Sequence, residues 1–158
     1  MHRGFMNLLF FKQKERIPGE RVDLVVIRKI KGNAGNNYIP SVLYHIVLHD
    51  TDEVIGNCDL RIGMDEELYY AGNIGYRINT PWRGHSYAYD ASLLMMQQAR
   101  DVYHMDSLLI TCSPDNPASK RTLQKLSGTL LETVDVPAWH WLYKRGETVK
   151  EIYRYQLI

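Results

Sequence analysis

Apolar and polar positions alternate with a period of two over much of the first half of the chain, the pattern of half-buried strands. Arg21 to Ile30, rich in Val and Ile, predicts a first strand, and the Gly/Asn-rich run Gly32 to Asn37 a loop. Val42, Tyr44, Ile46 and Leu48 mark a second strand, followed by a turn over His49 to Glu53. In a third, Val54 to Ile62, the residues Cys58, Leu60 and Ile62 share one face and Asn57, Asp59 and Arg61 the other. A polar loop from Gly63 to Leu68 leads to a fourth strand, Tyr70 to Asn79, where Ile74, Tyr76 and Ile78 alternate with Asn73, Gly75 and Arg77.

After Pro81 the period becomes helical. Ala88, Ala91, Met95, Ala99 and Val102 recur at helical spacing and predict a long helix ending near Tyr103. Ser107 to Cys112 reads as a short buried strand. Asn116-Pro117 is a helix start, with Asn as N-cap and Pro at the first position; Leu123 and Leu126 face its core and Gly128 ends it. Leu130 to Val136 and Val149 to Leu157 are two closing strands, the aromatic run Trp139 to Tyr143 extending the first. The order predicts an α/β fold with a mixed, mostly antiparallel central sheet. The unit from Tyr70 to Cys112 is a strand–helix–strand crossover, expected to be parallel and right-handed.

At 158 residues the chain has the length of one domain and can bury a real core. We read it as a single domain, 1–158, with an N-terminal arm or short helix (1–20), a central core (70–128) and C-terminal strands (129–158). Nineteen basic against eighteen acidic residues give no global field for nucleic acid or membrane, so neither is expected as a partner. The apolar run Phe5 to Phe11 is far shorter than the roughly 20 residues of a membrane span. Without a small-residue cleavage site after it, it is expected to pack on the domain or on a second subunit. Cys58 and Cys112 lie outside any CxxC or metal-ligand spacing; they are expected to be reduced thiols in a cytoplasmic protein, with no metal.

The stretch that carries chemistry is Pro81-Trp82-Arg83-Gly84-His85-Ser86-Tyr87-Ala88, which joins a strand to the start of the long helix. Its small residues let several backbone N–H groups converge, and the helix dipole adds about half a positive charge. Such a loop suits a phosphate or pyrophosphate, with Arg83 adding a charge-assisted contact. The alternative is a tight turn whose small residues only permit close packing. There is no P-loop ending and no three-glycine dinucleotide fingerprint.

Arg83-Gly84-His85-Ser86-Tyr87-Ala88 resembles the Arg/Gln-x-x-Gly-x-Gly/Ala loop of the GNAT superfamily of N-acyltransferases. Gly72 to Ile78 looks like that superfamily's fourth strand, and Asp115 to Ser119 with Ser127-Gly128 like its second conserved helix. The resemblance spans about Arg21 to Ile158 and is sharp from Gly72 to Gly128. Ile39-Pro40-Ser41 and Leu109 to Cys112 are similar to a bacterial subgroup.

The resemblance implies a GNAT-like β-α-β-α acyl-CoA-binding core, with acetyl-CoA as co-substrate. The fourth and fifth strands would splay and hold the pantetheine, its amides pairing near Tyr76 and Ile78. The pyrophosphate would meet the amides of Arg83, Gly84, His85, Ser86, Tyr87 and Ala88, with Asn116 and Ser119 contacting the pantetheine arm and phosphates. Capping alone is the alternative for Asn116, and a solvated helix face for Lys120 and Arg121. The implied function is acetyl transfer to an amine, a small molecule or a protein N-terminus or lysine, by direct attack in a ternary complex. The chain departs from the family at Leu123, where many members carry a Tyr that protonates the leaving thiolate, and at Asn73, where several carry a Glu acting as base. A non-catalytic acyl-CoA-binding or sensing module is the alternative function. The candidates for catalysis are Asp59, otherwise a partner of Arg61, and Tyr76, otherwise a core aromatic. Cys112 near the thioester is a remote candidate for a covalent nucleophile. Trp139, Trp141, Tyr143, Tyr153 and Tyr155 line an acceptor pocket, form a subunit interface or pack the core; with the apolar arm they suggest a homodimer.

Overall fold

The computed structural model describes residues 15–34 and 39–157. The arm residues Phe5 to Phe11 lie outside them. Two antiparallel sheets account for all the strands among the described residues. The first has five in sequential order: β1 (Arg16–Ile17), β2 (Val22–Ile30), β3 (Ser41–Leu48), β4 (Val54–Arg61) and β5 (Ile74–Ile78). The second has three, β6 (Ser107–Cys112), β7 (Thr129–Asp135) and β8 (Val149–Gln156), in the order β6-β8-β7. Sequential antiparallel neighbours follow from the short connections between the early strands. The α/β fold and its antiparallel pairing are as expected, whereas the crossover from β5 to β6 joins two sheets and makes no parallel ladder.

The register puts Leu24, Tyr44, Cys58 and Tyr76 on one face, because Tyr44 pairs with Val26 and Cys58 and Cys58 with Tyr76. Helix α2 (Tyr87–Asp101) covers that face with Ala91, Leu94, Met95 and Ala99. Leu108, Ile110 and Cys112 of β6, Tyr153 and Tyr155 of β8, and Leu123 of helix α3 (Pro117–Lys125) join the same core. Asn57, Asp59, Arg61, Gly75 and Arg77 share the opposite face of the five-stranded sheet. At its far end Asp23, 2% exposed, accepts from Arg16, Gly19 and His49.

The structure corrects three further expectations. The segment read as a polar loop running into a strand contains a helix, α1 (Glu66–Ala71), so the fourth long strand begins at Ile74 rather than Tyr70. Asp65 caps α1 by accepting from the Leu68 amide at 2.7 Å, Glu66 and Glu67 complement the dipole, and Gly72 at φ 80° ends it. These signals were in the sequence, but six residues give too short a period to outweigh the strand preference of Tyr69-Tyr70. The aromatic run Trp139 to Tyr143 does not extend β7; it turns into a short helix, α4 (Trp141–Lys144), capped by His140. The His140 ring accepts from Leu142 N at 3.0 Å and its Nε2 donates to the Glu67 carbonyl at 2.8 Å, tying this segment to α1. Lastly, α3 ends at Lys125, and the left-handed residue after it is Ser127 (φ 64°) rather than Gly128.

Among the described residues no helix is long and apolar enough to cross a membrane. Cys58 and Cys112 are buried free thiols.

Candidate functional site

Strands β5 and β6 are neighbours in space but belong to different sheets. The Arg61 amide donates to the Asn73 carbonyl and the Asn79 amide to Ile55, at either end of the β4–β5 register. In an antiparallel pair hydrogen-bonded and non-bonded positions alternate. The Asn73 carbonyl, Gly75, Arg77 and the Asn79 amide therefore bond to β4, while Ile74, Tyr76 and Ile78 turn their N–H and C=O groups toward β6. The β6–β8 register, with Leu157 donating to Asp106, likewise turns Leu109 and Thr111 toward β5. The strands meet at one point, where the Asn73 amide donates to the Leu109 carbonyl at 2.7 Å. Past it they form no ladder, and a gap lined by backbone donors and acceptors opens.

Asn73 makes the apex of this gap. It is fully buried; its Nδ2 donates to the Arg61 and Gly63 carbonyls at 2.9 and 2.7 Å, and its Oδ1 accepts from Leu109 N at 2.8 Å. The C-terminus of α1 closes the same end: Thr111 donates to the Tyr70 carbonyl at 2.8 Å, and Arg61 Nη1 to the carbonyls of Ala71 and Gly72 at 3.2 and 3.0 Å. Asn73 is thus a structural pin, which explains an amide there: only a donor and acceptor together serve all three groups.

At the other end of β5, a 3-10 turn (Thr80–Trp82) leads into the anion-loop candidate. Gly84 (φ 89°) and Ser86 (φ 63°) both adopt left-handed backbone, and Ser86 makes no side-chain cap. The amides of Gly84, His85, Ser86, Tyr87, Ala88 and Tyr89 have no hydrogen-bond partner among the described residues, and Gly84, His85 and Ser86 are exposed. A run of unpaired donors on the dipole of a 15-residue helix is what a pyrophosphate requires. Arg83 donates through Nε to the Ile78 carbonyl at 2.9 Å, which occupies one of the gap-facing acceptors of β5.

Asn116 caps α3, its side chain accepting from Ser119 N at 3.2 Å. The Ser119 hydroxyl meets the Tyr76 hydroxyl at 2.9 Å and ties β5 to α3. Burial pushes the Tyr76 phenol above its ordinary pKa, against the pull of its hydroxyl partners, so it stays a phenol at neutral pH and suits a proton donor better than a base. Lys120 is no freely solvated cation: it pairs with buried Glu151 at 3.0 Å, and Glu151 also accepts from Tyr153. Leu123 is fully buried and contributes no polar atom. Burial also raises the Cys112 thiol, so it is no ready thiolate.

Asp59 lies on the other face, paired with Arg61 Nε at 2.8 Å and about a quarter exposed. The ion pair with Arg61 is as expected, and the register sets Asp59 opposite Gly75 of β5. A Cβ on Gly75 would come within 2.6 Å of Asp59 Oδ1, so only a glycine lets the carboxylate approach that strand. Burial raises the Asp59 carboxyl above its ordinary range, opposed by Arg61. Of the aromatic hairpin, Trp139, Trp141 and Tyr143 are exposed while Tyr153 and Tyr155 are buried. Trp139 meets Tyr70 edge-on at 6.5 Å, beside the apex.

Arg21 escaped the sequence reading. It donates to the His85 carbonyl at 2.7 Å and pairs with Asp90 at 3.0 Å, 64 and 69 residues away in the chain. No local pattern signals so distant a contact.

The fold is similar to those of known proteins. RimL, a ribosomal L7/L12 alpha-N-protein acetyltransferase, aligns over 90% of this chain and 94% of its own with a TM-score of 0.64 at 14% identity. A GNAT-family acetyltransferase from Bacillus anthracis gives 0.63 at 15%, over 90% of this chain and 99% of that one. The microcin C7 self-immunity acetyltransferase MccE, solved with acetyl-CoA and AMP, gives 0.56 at 17%, over 73% of this chain and 61% of that one. At such identities the likeness is one of fold. No curated protein matches by sequence. The sequence model of the Acetyltransferase (GNAT) domain matches residues 16–129, and the chain therefore belongs to the GNAT acetyltransferase family.

Proposed function

We propose that the chain transfers an acetyl group from acetyl-CoA to an amine by direct attack in a ternary complex. The observation that carries this reading is the run of unpaired amides from Gly84 to Tyr89 beside a gap whose β5 wall offers the N–H of Tyr76. Loop and gap together fit a long ligand with a pyrophosphate and an amide-bearing arm, and MccE was solved with acetyl-CoA. Acetyl-CoA supplies an activated thioester; the rest falls to the chain. The amides of the loop, with Asn116 and Ser119 at the α3 N-terminus, hold the phosphates and arm. The Tyr76 N–H receives the negative charge that develops on the thioester oxygen. Asp59 takes the proton the attacking amine loses, directly or through water, as the new C–N bond forms and the C–S bond breaks. The Tyr76 hydroxyl is a proton source for the departing thiolate. Holding both reactants removes much of the entropic barrier. A thiol-release screen with acetyl-CoA against amino acids, polyamines, aminoglycosides and peptide N-termini tests the reading; acetyl-CoA binding without turnover on any amine would leave a binding module instead.

Gly84→Val should weaken CoA binding by at least about tenfold, because a β-branched residue resists the left-handed backbone at φ 89° and tilts the adjoining amides. An unchanged dissociation constant by calorimetry would remove the loop from the site. The reading includes a cytoplasmic setting, supported by two free buried thiols. It also includes a homodimer, supported by exposed Trp139, Trp141 and Tyr143. Light scattering showing only monomer at high micromolar concentration would exclude the dimer.

A further inference from the structure

We infer that Arg21, which no motif includes, is the positioning residue that sets the anion loop for its ligand. The inference rests on the acyl-CoA reading above. Arg21 stands immediately before β2, with its carbonyl fixed by the His49 amide at 3.1 Å. Its guanidinium makes three contacts with the loop. Nη2 donates to the His85 carbonyl at 2.7 Å, Nη1 pairs with Asp90 at 3.0 Å, and the group lies 4.9 Å from the Tyr87 ring centroid. The three partners belong to the turn and first helical residues that carry the unpaired amides.

Two physical consequences follow. The first concerns conformation. Ser86 holds φ 63° without a glycine and without a cap of its own, a state that persists only where its surroundings over-determine it. Arg21 holds the preceding carbonyl, which keeps the following amides turned outward. The second concerns charge. Asp90 sits in the first turn of α2, four-fifths buried, where its carboxylate opposes a phosphate bound at the same helix end. Burial raises the Asp90 carboxyl above its ordinary range, against the pull of Arg21 and Lys125. The Arg21 guanidinium 3.0 Å away offsets the carboxylate charge that would otherwise repel the ligand. A lysine carries the charge but cannot span a carbonyl, a carboxylate and a ring at once.

The test is a binding experiment on the intact chain. CoA affinity is measured by calorimetry, and affinity for pantetheine, which lacks the phosphates, by NMR titration, for wild type, Arg21→Met, Arg21→Lys, Asp90→Asn and the Arg21→Met/Asp90→Asn pair. Arg21→Met should weaken CoA by about tenfold or more, the scale of one lost charge-assisted contact, and leave pantetheine unchanged. Arg21→Lys, least disturbing to folding, should show a smaller loss of the same kind. Adding Asp90→Asn to Arg21→Met should recover part of the CoA affinity. Wild-type CoA affinity in both Arg21 variants overturns the inference, as does an equal loss of CoA and pantetheine. No recovery on adding Asp90→Asn overturns the charge-compensation part. A wild-type chain that binds no CoA instead defeats the acyl-CoA reading itself.

Discussion

Asp59→Asn should lower acceptor-dependent kcat by about 10²–10⁴-fold, the span of a lost general base, and leave CoA affinity unchanged. Asparagine keeps the shape and one acceptor oxygen for Arg61, whose remaining donors stay on the Ala71 and Gly72 carbonyls. The fold and the apex of the gap should therefore survive. The pH profile supplies a second readout. Asp59 is active as a carboxylate, so kcat/KM falls as pH drops through its pKa. Burial raises that pKa, so the acid limb should lie above the ordinary value of about 3.9 for Asp and vanish in the variant. Full turnover in Asp59→Asn would remove the residue from the mechanism. Tyr76 would be a poor substitute as base, because burial holds its phenol protonated, and the amine would then attack unaided.

Asn73→Ala should cost about 3 kcal/mol or more of stability, since it strands three buried groups that each cost about 1–3 kcal/mol when unpaired. The groups are the carbonyls of Arg61 and Gly63 and the amide of Leu109. For a chain of this size that loss lowers Tm by roughly 6–12 °C, readable by calorimetry. The same change removes the side-chain half of the join between β5 and β6, so CoA affinity should fall as well. A Tm within about 2 °C of wild type would show that the pin carries little, given the scale of buried hydrogen bonds. Asn73→Asp should recover only the bond from Leu109, since a carboxylate cannot donate to the two carbonyls.

Much of this was legible along the chain because it is local. Strands β2, β3 and β4 follow from alternation, β6 from its short buried apolar run, and α2 from its helical period. The α3 start follows from Asn116-Pro117, because capping and proline geometry are decided within four residues. The small-residue loop was readable for the same reason. Helix α1 and the turn into α4 were not, since short elements with strand-forming aromatics obtain their stability from contacts such as His140 with Glu67.

The sequence by itself determined the order of the long elements, the family and the small-residue loop, since each is written in the spacing of nearby residues. Only the tertiary structure decided what the side chains do. It made Asn73 a pin rather than a bare departure from a catalytic pattern, and gave Asp59 its approach to β5 over Gly75. It joined Tyr76 to Ser119 and turned Lys120 from a solvated cation into a partner of Glu151. It brought Arg21 onto the loop from 64 residues away. The physical reason is common to all of these: periodicity reports which face a residue occupies, whereas its partner across the gap is fixed by how two sheets and two helices pack, and no short window contains both.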